Sequence, residues 1–376
     1  MTGQRVLKDE SGTILIWAAV GLAVLIAFAG LATDIPYLYV ARQQAQTAAD
    51  AGALAGAYGL LLGPDQAVTD ARAFAARTRI IGQSLSPGQV DVALLNTGGS
   101  STPDQVQCTT YRDVQHGNPI PLLLLSILQL YNLNRTTADV SATASAQILK
   151  SCGSLCFKPW SIVDRWVDVN NNGKFDPGID LYVPPTEPDA TGYQYPADEG
   201  RQLTLKVGSP GGTIVPSFFN AIDFPPQNRG TPFTGASAYR DNIATCGPQS
   251  FLSLGDQLQV EPGNMVGPTK QGVEALINLD PTAVWDTGCN CVTNSPYGSS
   301  SPRLVRIAFF DPRFPVVSGR NYLTAANVGG FFIEGVQPNG DVIGRFTLVP
   351  SQGGIPAPGG TSTASCTFLR AVQLVK

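Results

Sequence analysis

Charge is what this chain has least of. Only 14% of its 376 residues are Asp, Glu, Lys or Arg, and no long basic run occurs, which argues against a nucleic-acid partner. Histidine is nearly absent as well: His116 stands alone, in the polar loop Arg112 to Asn118. A Ser/His/Asp or Cys/His arrangement would have to use it, and no G-x-S-x-G elbow, P-loop or G-x-G-x-x-G fingerprint is present. Glu187, Glu199, Glu261, Glu274 and Glu334 could still converge in space, but any β-rich domain offers as many carboxylates. The expectation is a protein that is not an enzyme, with no catalytic residue and no small-molecule substrate. Glycine (40) and proline (29) are plentiful instead, a profile that suits a turn-rich, strand-rich exported protein.

The lack of charge is most extreme near the start. Ile14 to Leu31 contains neither a charged residue nor a proline. At about 1.5 Å per residue it spans roughly 27 Å, close to the hydrocarbon thickness of a bilayer. A core helix would show a polar face, and this stretch shows none. A cleaved secretory signal is the other reading, with Ala27-Phe28-Ala29 as its small-residue site. Of the two, a retained membrane anchor fits the length better. Arg5 and Lys8 precede the span and Arg42 is the first basic residue after it, which favours a cytoplasmic N-terminus. Everything beyond the anchor would then lie outside the cytoplasm.

Seven cysteines follow: Cys108, Cys152, Cys156, Cys246, Cys289, Cys291 and Cys366. Outside the cytoplasm they would pair, leaving at least one free. A zinc site would want paired C-x2-C spacings or more histidine. Cys289 and Cys291 are expected to choose different partners, because a bridge across one residue closes a small ring.

Past the span, Leu38 to Leu62 is rich in Ala, Gln and Leu and reads as helix, with Pro36 kinking or interrupting it at the membrane exit. Ala45, Ala48, Ala49, Gly52, Ala53, Ala55 and Gly56 make a face of small side chains. Such a face admits either another helix, in a membrane or a filament core, or its own domain. Gly63-Pro64 ends this helix, and Asp65 is placed to cap the next, Gln66 to Ile80, with Ala67, Ala71, Phe74, Ala75 and Thr78 as its buried stripe. Val90 to Leu95 and Val106 to Val114 read as strands around a turn at 97–101, and Val140 to Ile148 as a half-buried strand. Ile120 to Leu133 is apolar but too short to span, and reads as a buried or interfacial helix.

From Ser151 the texture changes to short β-type runs between Gly/Pro turns: 202–207, 254–260, 303–310, 330–336, 342–348 and 367–375, with one helix at Gln271 to Leu279. The fold class is α+β. A leader and membrane helix occupy 1–33, a small α+β unit 34–150, and a mainly β extracytoplasmic domain 151–376.

The sharpest local chemistry lies in Asp168-Val-Asn-Asn-Asn-Gly-Lys-Phe-Asp176, followed by Asp180. It resembles a calcium loop. Calcium wants six to eight hard oxygens, and Asp168, Asn170, Asn172 and Asp176 with the Lys174 carbonyl can surround one point while Gly173 allows the sharp turn. The last ligand position, where a bidentate Glu is expected, holds Ile179, with Asp180 one residue further on. The competing reading is an Asx-rich turn that holds no ion.

The N-terminal run resembles the Tad (Flp) pilus-assembly TadE/TadG-like proteins. The residues that carry this are Lys8-Asp9-Glu10-Ser11-Gly12, the span to Leu31, Asp34, and Tyr39 to Ala57, above all Gln46-Thr-Ala-Ala-Asp50-Ala-Gly-Ala-Leu54-Ala-Gly-Ala57. Arg135 to Ala146 looks like the strand that follows the apolar helix in such proteins. Lys158 to Trp166, Pro262 to Val273 and Phe331 to Val336 look like stretches of the longer members. No D-x-S-x-S run supports a von Willebrand factor A domain. Gly12 precedes the span, but Ala18 stands near the position where processed prepilins carry Glu. The resemblance implies a pilin-like structural component, either a minor pilin or an assembly factor, of a Tad/Flp-type pilus or secretion system. It would sit single-pass in a bacterial inner membrane, with its C-terminal domain periplasmic or extracellular. Its partners would be the lipid bilayer and other pilin-like proteins, met through the small-residue helix. The alternative is a calcium-stiffened surface adhesion or binding module on the same tether.

Overall fold

The computed structural model describes residues 11–97, 102–124, 136–208, 218–246, 251–314, 321–353 and 366–375, with side chains from residue 15 onward. One helix, α1 (Ser11–Gly59), runs from the apolar span through the alanine-rich segment without interruption. Pro36 lies inside it. The sequence expectation of a break there is not met, since a proline removes only one N–H and the flanking turns keep their own bonds. Beyond Gly63 comes α2 (Pro64–Arg77), with Pro64 in its first turn. Its N-cap is Gly63 and no side chain caps it, so Asp65 belongs to the first turn, where its charge suits the helix dipole. The buried stripe is Ala67, Ala71 and Ala75, whereas Phe74 is exposed, with Arg77 stacked over its ring, and Thr78 is half-buried.

Three strands follow: β1 (Val90–Leu95), β2 (Gln105–Arg112) and β3 (Val140–Lys150). Along β3 the side chains of Val140, Ala142, Ala144 and Ala146 point into the core and those between them outward, the period of two that its sequence carries. Ile120–Pro121 is a short strand paired with Thr137–Ala138, so the helix expected over 120–133 does not begin there. Residues 125–133, and the turn at 98–101, lie outside the described residues.

The second half is built around β4 (Phe157–Val163), β5 (Gln202–Lys206), β6 (Ile222–Asp223), α3 (Ala236–Ala244), β7 (Gln257–Val260), α4 (Val266–Leu279), the small hairpin β8 (Val284–Asp286) with β9 (Cys291–Thr293), then β10 (Leu304–Phe310), β11 (Tyr322–Val336) and β12 (Val342–Phe346). These form a seven-stranded sheet with path β5-β12-β11-β7-β6, to which β10 adds by pairing antiparallel with β11 and parallel with β4. Every residue of β10 is buried because both sheet faces are covered. Val305, Ile307 and Phe309 pack toward Tyr239 and Ile243 of α3 and Val273 and Leu276 of α4. Leu304, Ala308 and Phe310 join a second core with Phe157, Phe218 and Leu258.

The chain then returns to its beginning. Strands β13 (Val349–Pro350) and β14 (Leu369–Val375) complete a five-stranded sheet of order β13-β14-β3-β2-β1. Arg370 to Val375 pairs antiparallel with Lys150 to Ser145. The last strand, grouped by sequence with the β runs after Ser151, is thus hydrogen-bonded into the N-terminal sheet. Two disulfides secure this half: Cys152–Cys366, immediately beside the β3–β14 pairing, and Cys156–Cys246. The third joins Cys289 to Cys291, which corrects the expectation of separate partners. Their Cα atoms are 5.2 Å apart, inside the ordinary range for a bridge. Cys108 is the free thiol, buried under α1.

Candidate functional site

Two features carry the functional reading: α1 and the loop at 168–180. Along α1 the environment changes abruptly. Leu15, Ile16, Trp17, Leu22, Leu25 and Phe28 are exposed, and no element among the described residues covers them. A contiguous bare apolar surface of this size marks a membrane or partner contact. It is the one helix among the described residues long and apolar enough to cross a bilayer. Past Leu31 the same helix becomes a core element. Ala41, Ala45, Ala48, Ala49, Ala53 and Ala57 are fully buried against Val106 and Cys108 of β2 and Val140, Ala142, Ala144 and Ala146 of β3.

Small residues face small residues here, so helix and sheet approach closely. A Cβ on Gly52 would lie 2.5 Å from the Cys108 sulfur, and one on Gly56 would lie 2.7 Å from Val106 and 3.0 Å from Ala71. Polar side chains fix the register of this contact: Thr110 donates to the Ala45 carbonyl at 3.1 Å, and Gln44 accepts the Ile81 N–H at 2.7 Å. The small-residue face is therefore filled by the protein's own sheet and α2, which leaves no room there for a partner helix, while Ile35, Tyr39 and Val40 on the opposite face are exposed.

Asp34 sits at the change-over, fully buried. Its carboxylate accepts the backbone N–H of Leu123 at 2.8 Å and of Leu124 at 3.1 Å. The acid that follows the span thus ties the end of the apolar stretch to the folded unit.

The loop at 168–180 projects from β4 on an excursion pinned by two buried acids. Asp164 accepts from Tyr193 N, Arg165 N, Asn327 Nδ2 and the Tyr182 hydroxyl. Burial pushes its carboxyl up to about 6 even against these bonds. Asp198 takes Arg165 Nη1 at 2.7 Å and Gln194 N at 2.9 Å. A Val167–Leu181 bridge closes the loop's neck.

Inside the loop, hydrogen bonds link four of the expected residues, Asp168, Asn170, Asn172 and Asp176. Asp168 accepts Asn172 N at 3.2 Å and Gly173 N at 2.7 Å, and Asn172 Oδ1 accepts Lys174 N at 2.7 Å. Asn170 Nδ2 and Asn172 Nδ2 both donate to Asp176 Oδ2, at 2.7 and 2.6 Å, and hold its carboxyl below the usual range. Gly173 has φ +73°, the turn its identity allows. Asp180 is used differently: its oxygens accept Val169 N at 2.9 Å and Asp176 N at 2.8 Å, closing the loop from outside. As it stands this is a web of Asx turns. Among the described residues no three of the Asp, Glu, His and Cys side chains form a metal-holding group, because the loop's convergence depends on two Asn amides.

The other reactive candidates are occupied elsewhere. His116 lies 2.8 Å from an Asp113 oxygen and stacks on Tyr111 with ring centres 4.0 Å apart. Burial, then nearby Asp91, pushes the Cys108 thiol up to about 11, which keeps it protonated. Glu334 pairs with Arg345 at 2.7 Å, Glu261 is buried and accepts Gly235 N at 3.2 Å, and Glu187 and Glu274 are exposed. Glu199 borders a separate cavity of about 560 Å³ beside Tyr195 and Arg370.

A helix that is bare and apolar for its first turns and the core of a folded unit thereafter has the form of a membrane anchor joined to a folded unit. Residues 12–59, which coincide with that helix, match the Tad family of Flp pilus-assembly TadE/G-like proteins. The match supports a pilus-related role and, with the apolar helix, fits a membrane anchor. No curated protein and no solved structure matches the chain.

Proposed function

We propose that this protein is a structural component, a minor pilin or assembly factor, of a Tad/Flp-type pilus or secretion system. In this reading α1 crosses a bacterial inner membrane once, with both sheets on the periplasmic or extracellular side. The observation that carries it is the change of α1 from uncovered apolar side chains to a core of alanines, within the segment that matches the pilus-assembly family. Other pilus components would be met through Ile35, Tyr39 and Val40 rather than through the small-residue face. A photo-crosslinking residue at Tyr39, in cells that make the pilus, tests this. Crosslinks to pilus or secretion components are expected, and recovery of the protein from the soluble fraction without such crosslinks would contradict it.

The second reading, a calcium-stiffened binding module on the same tether, rests on the convergence of Asp168, Asn170, Asn172 and Asp176. Turning the two Asn amides over would exchange two donors for two oxygens aimed at the point that Asp176 faces. Calcium there would stiffen the loop and perform no chemistry. Thermal unfolding in about 2 mM calcium and in chelator tests this, since extracellular loops of this kind bind near millimolar. A rise in midpoint abolished by Asp168→Ala supports calcium, and no rise reduces the loop to its Asx turns. The absence of catalytic machinery remains an expectation, which a turnover assay on cell-wall and glycan substrates would overturn.

A further inference from the structure

The cavity between the C-terminal ends of α3 and α4, the start of β10 and Tyr58 of α1 has a volume of about 470 Å³. Among the described residues its lining includes Lys158 and Arg306 but no Asp or Glu. Both cations are buried, at 4% and 5% exposure, and neither makes an ion pair among the described residues. The other buried cations of this half differ. Lys206 lies near Asp341, and Arg303 near Asp280 and Glu334. Lys158 instead feels the positive charge of Arg306, and burial with that repulsion pulls the Lys158 ammonium down to about 7.

Backbone carbonyls satisfy only part of their donor capacity. Lys158 Nζ donates to Ile243 O at 2.6 Å and Thr245 O at 2.8 Å, which leaves one of its three N–H groups. Arg306 donates through Nε and Nη2 to the Pro350 carbonyl, which leaves three of its five. The hydroxyls of Ser299 and Ser300 and the amide of Gln352 also line the cavity. Two buried cations with spare donors, surrounded by hydroxyls and without a carboxylate, are what an oxyanion requires.

We propose that this cavity binds a small soluble oxyanion, a carboxylate or a phosphate, between Lys158 and Arg306. A headgroup of the anchoring bilayer is excluded by distance, because Tyr58 lies 27 residues up α1 from Leu31, about 40 Å along the helix. The site is independent of the pilus reading and of calcium.

The test uses the full-length protein in detergent at pH 6.5 and constant ionic strength. Inorganic phosphate and citrate are titrated separately against chloride, and the thermal midpoint and heat of binding are read. A saturable rise with an apparent Kd in the millimolar range or tighter is expected from at least one. Saturation by phosphate alone identifies the ligand as a phosphate, and by citrate alone as a carboxylate. Ser300→Asp places a carboxylate at the exposed rim without touching the buried scaffold. It should keep the midpoint without ligand and weaken binding tenfold or more, as should Lys158→Met where it folds. A response that fails to saturate, equals that of chloride, or is unchanged in Ser300→Asp overturns the proposal.

Discussion

The N-terminal unit and the β-rich half solve the same packing problem in opposite ways. In the first, helix and sheet meet through alanines and glycines, with Cys108 and Val106 among the larger groups at the contact. In the second, the sheet is sandwiched by large rings: Phe331 and Phe346 lie 4.2 Å apart between centres, and Phe346 and Phe368 4.6 Å apart. The alanine interface gains stability from closeness, since dispersion falls off within fractions of an ångström. The aromatic core gains it from apolar area. The first therefore tolerates almost no added volume, while the second depends on buried polar anchors such as Trp160 Nε1 donating to the Tyr239 hydroxyl at 2.8 Å.

The largest expected effect breaks the link between the two halves. Cys152–Cys366 spans 214 residues and fixes β14 to β3. Replacing both cysteines by serine should lower stability by about 2–5 kcal/mol in urea unfolding. Cys289–Cys291 spans two residues, and its double serine variant should lose less than about 2 kcal/mol, because a short loop had little entropy to give up. Equal losses would contradict this contrast.

Next comes the alanine interface. Gly52→Val drives a branched side chain toward Cys108 and the Ala71 carbonyl, and should cost about 1–3 kcal/mol or more. Gly21→Val, on the uncovered part of the same helix with nothing within 4 Å, should leave the unfolding midpoint of the folded unit unchanged.

A smaller effect sharpens the comparison through pH. Asp164 has a folded-state pKa of about 6, above the ordinary 3.8, so the folded protein binds its proton more tightly. Between pH 3.8 and 6 the folded state holds more protons than the unfolded chain, so this group's contribution to stability falls as pH rises through that window. Asp164→Asn should flatten that slope, measured by urea midpoints across the window, whatever its effect on absolute stability.

The sequence was most legible where one periodicity ruled. Val90–Leu95 was read with its observed ends, and the alternation in β3 with its inward face, because each strand has one buried side. The fully buried β10 also stood out as a short β-type run despite Arg306 within it, while β11 proved longer than 330–336, its first half being broken by Thr324 and Asn327. Short α3 was missed. It starts at Ala236 after an N-cap glycine, Gly235, that offers no side-chain cap, and its signal is the spacing of Tyr239, Asn242 and Ile243 on the buried face. The partner of the last strand was illegible, since Val375 pairs with Ser145 across most of the chain. In the loop at 168–180 the residue set was visible, but the separate use of Asp180 as an outer clasp depends on the direction of two backbone N–H groups. The Lys158–Arg306 cavity had no sequence signal, because its cations come from different strands.

The most direct test of the account is a cysteine scan along α1 in the full-length protein reconstituted in liposomes. Single cysteines at Ile16, Leu22, Phe28, Tyr39, Gln43 and Thr47 all lie on uncovered faces and would be probed with a membrane-impermeant maleimide. The account predicts protection at Leu22 and Phe28 and rapid labelling at Tyr39, Gln43 and Thr47, with the change falling near Asp34. Rapid labelling at Leu22 and Phe28 would contradict a membrane-embedded first half and leave α1 as a helix in water.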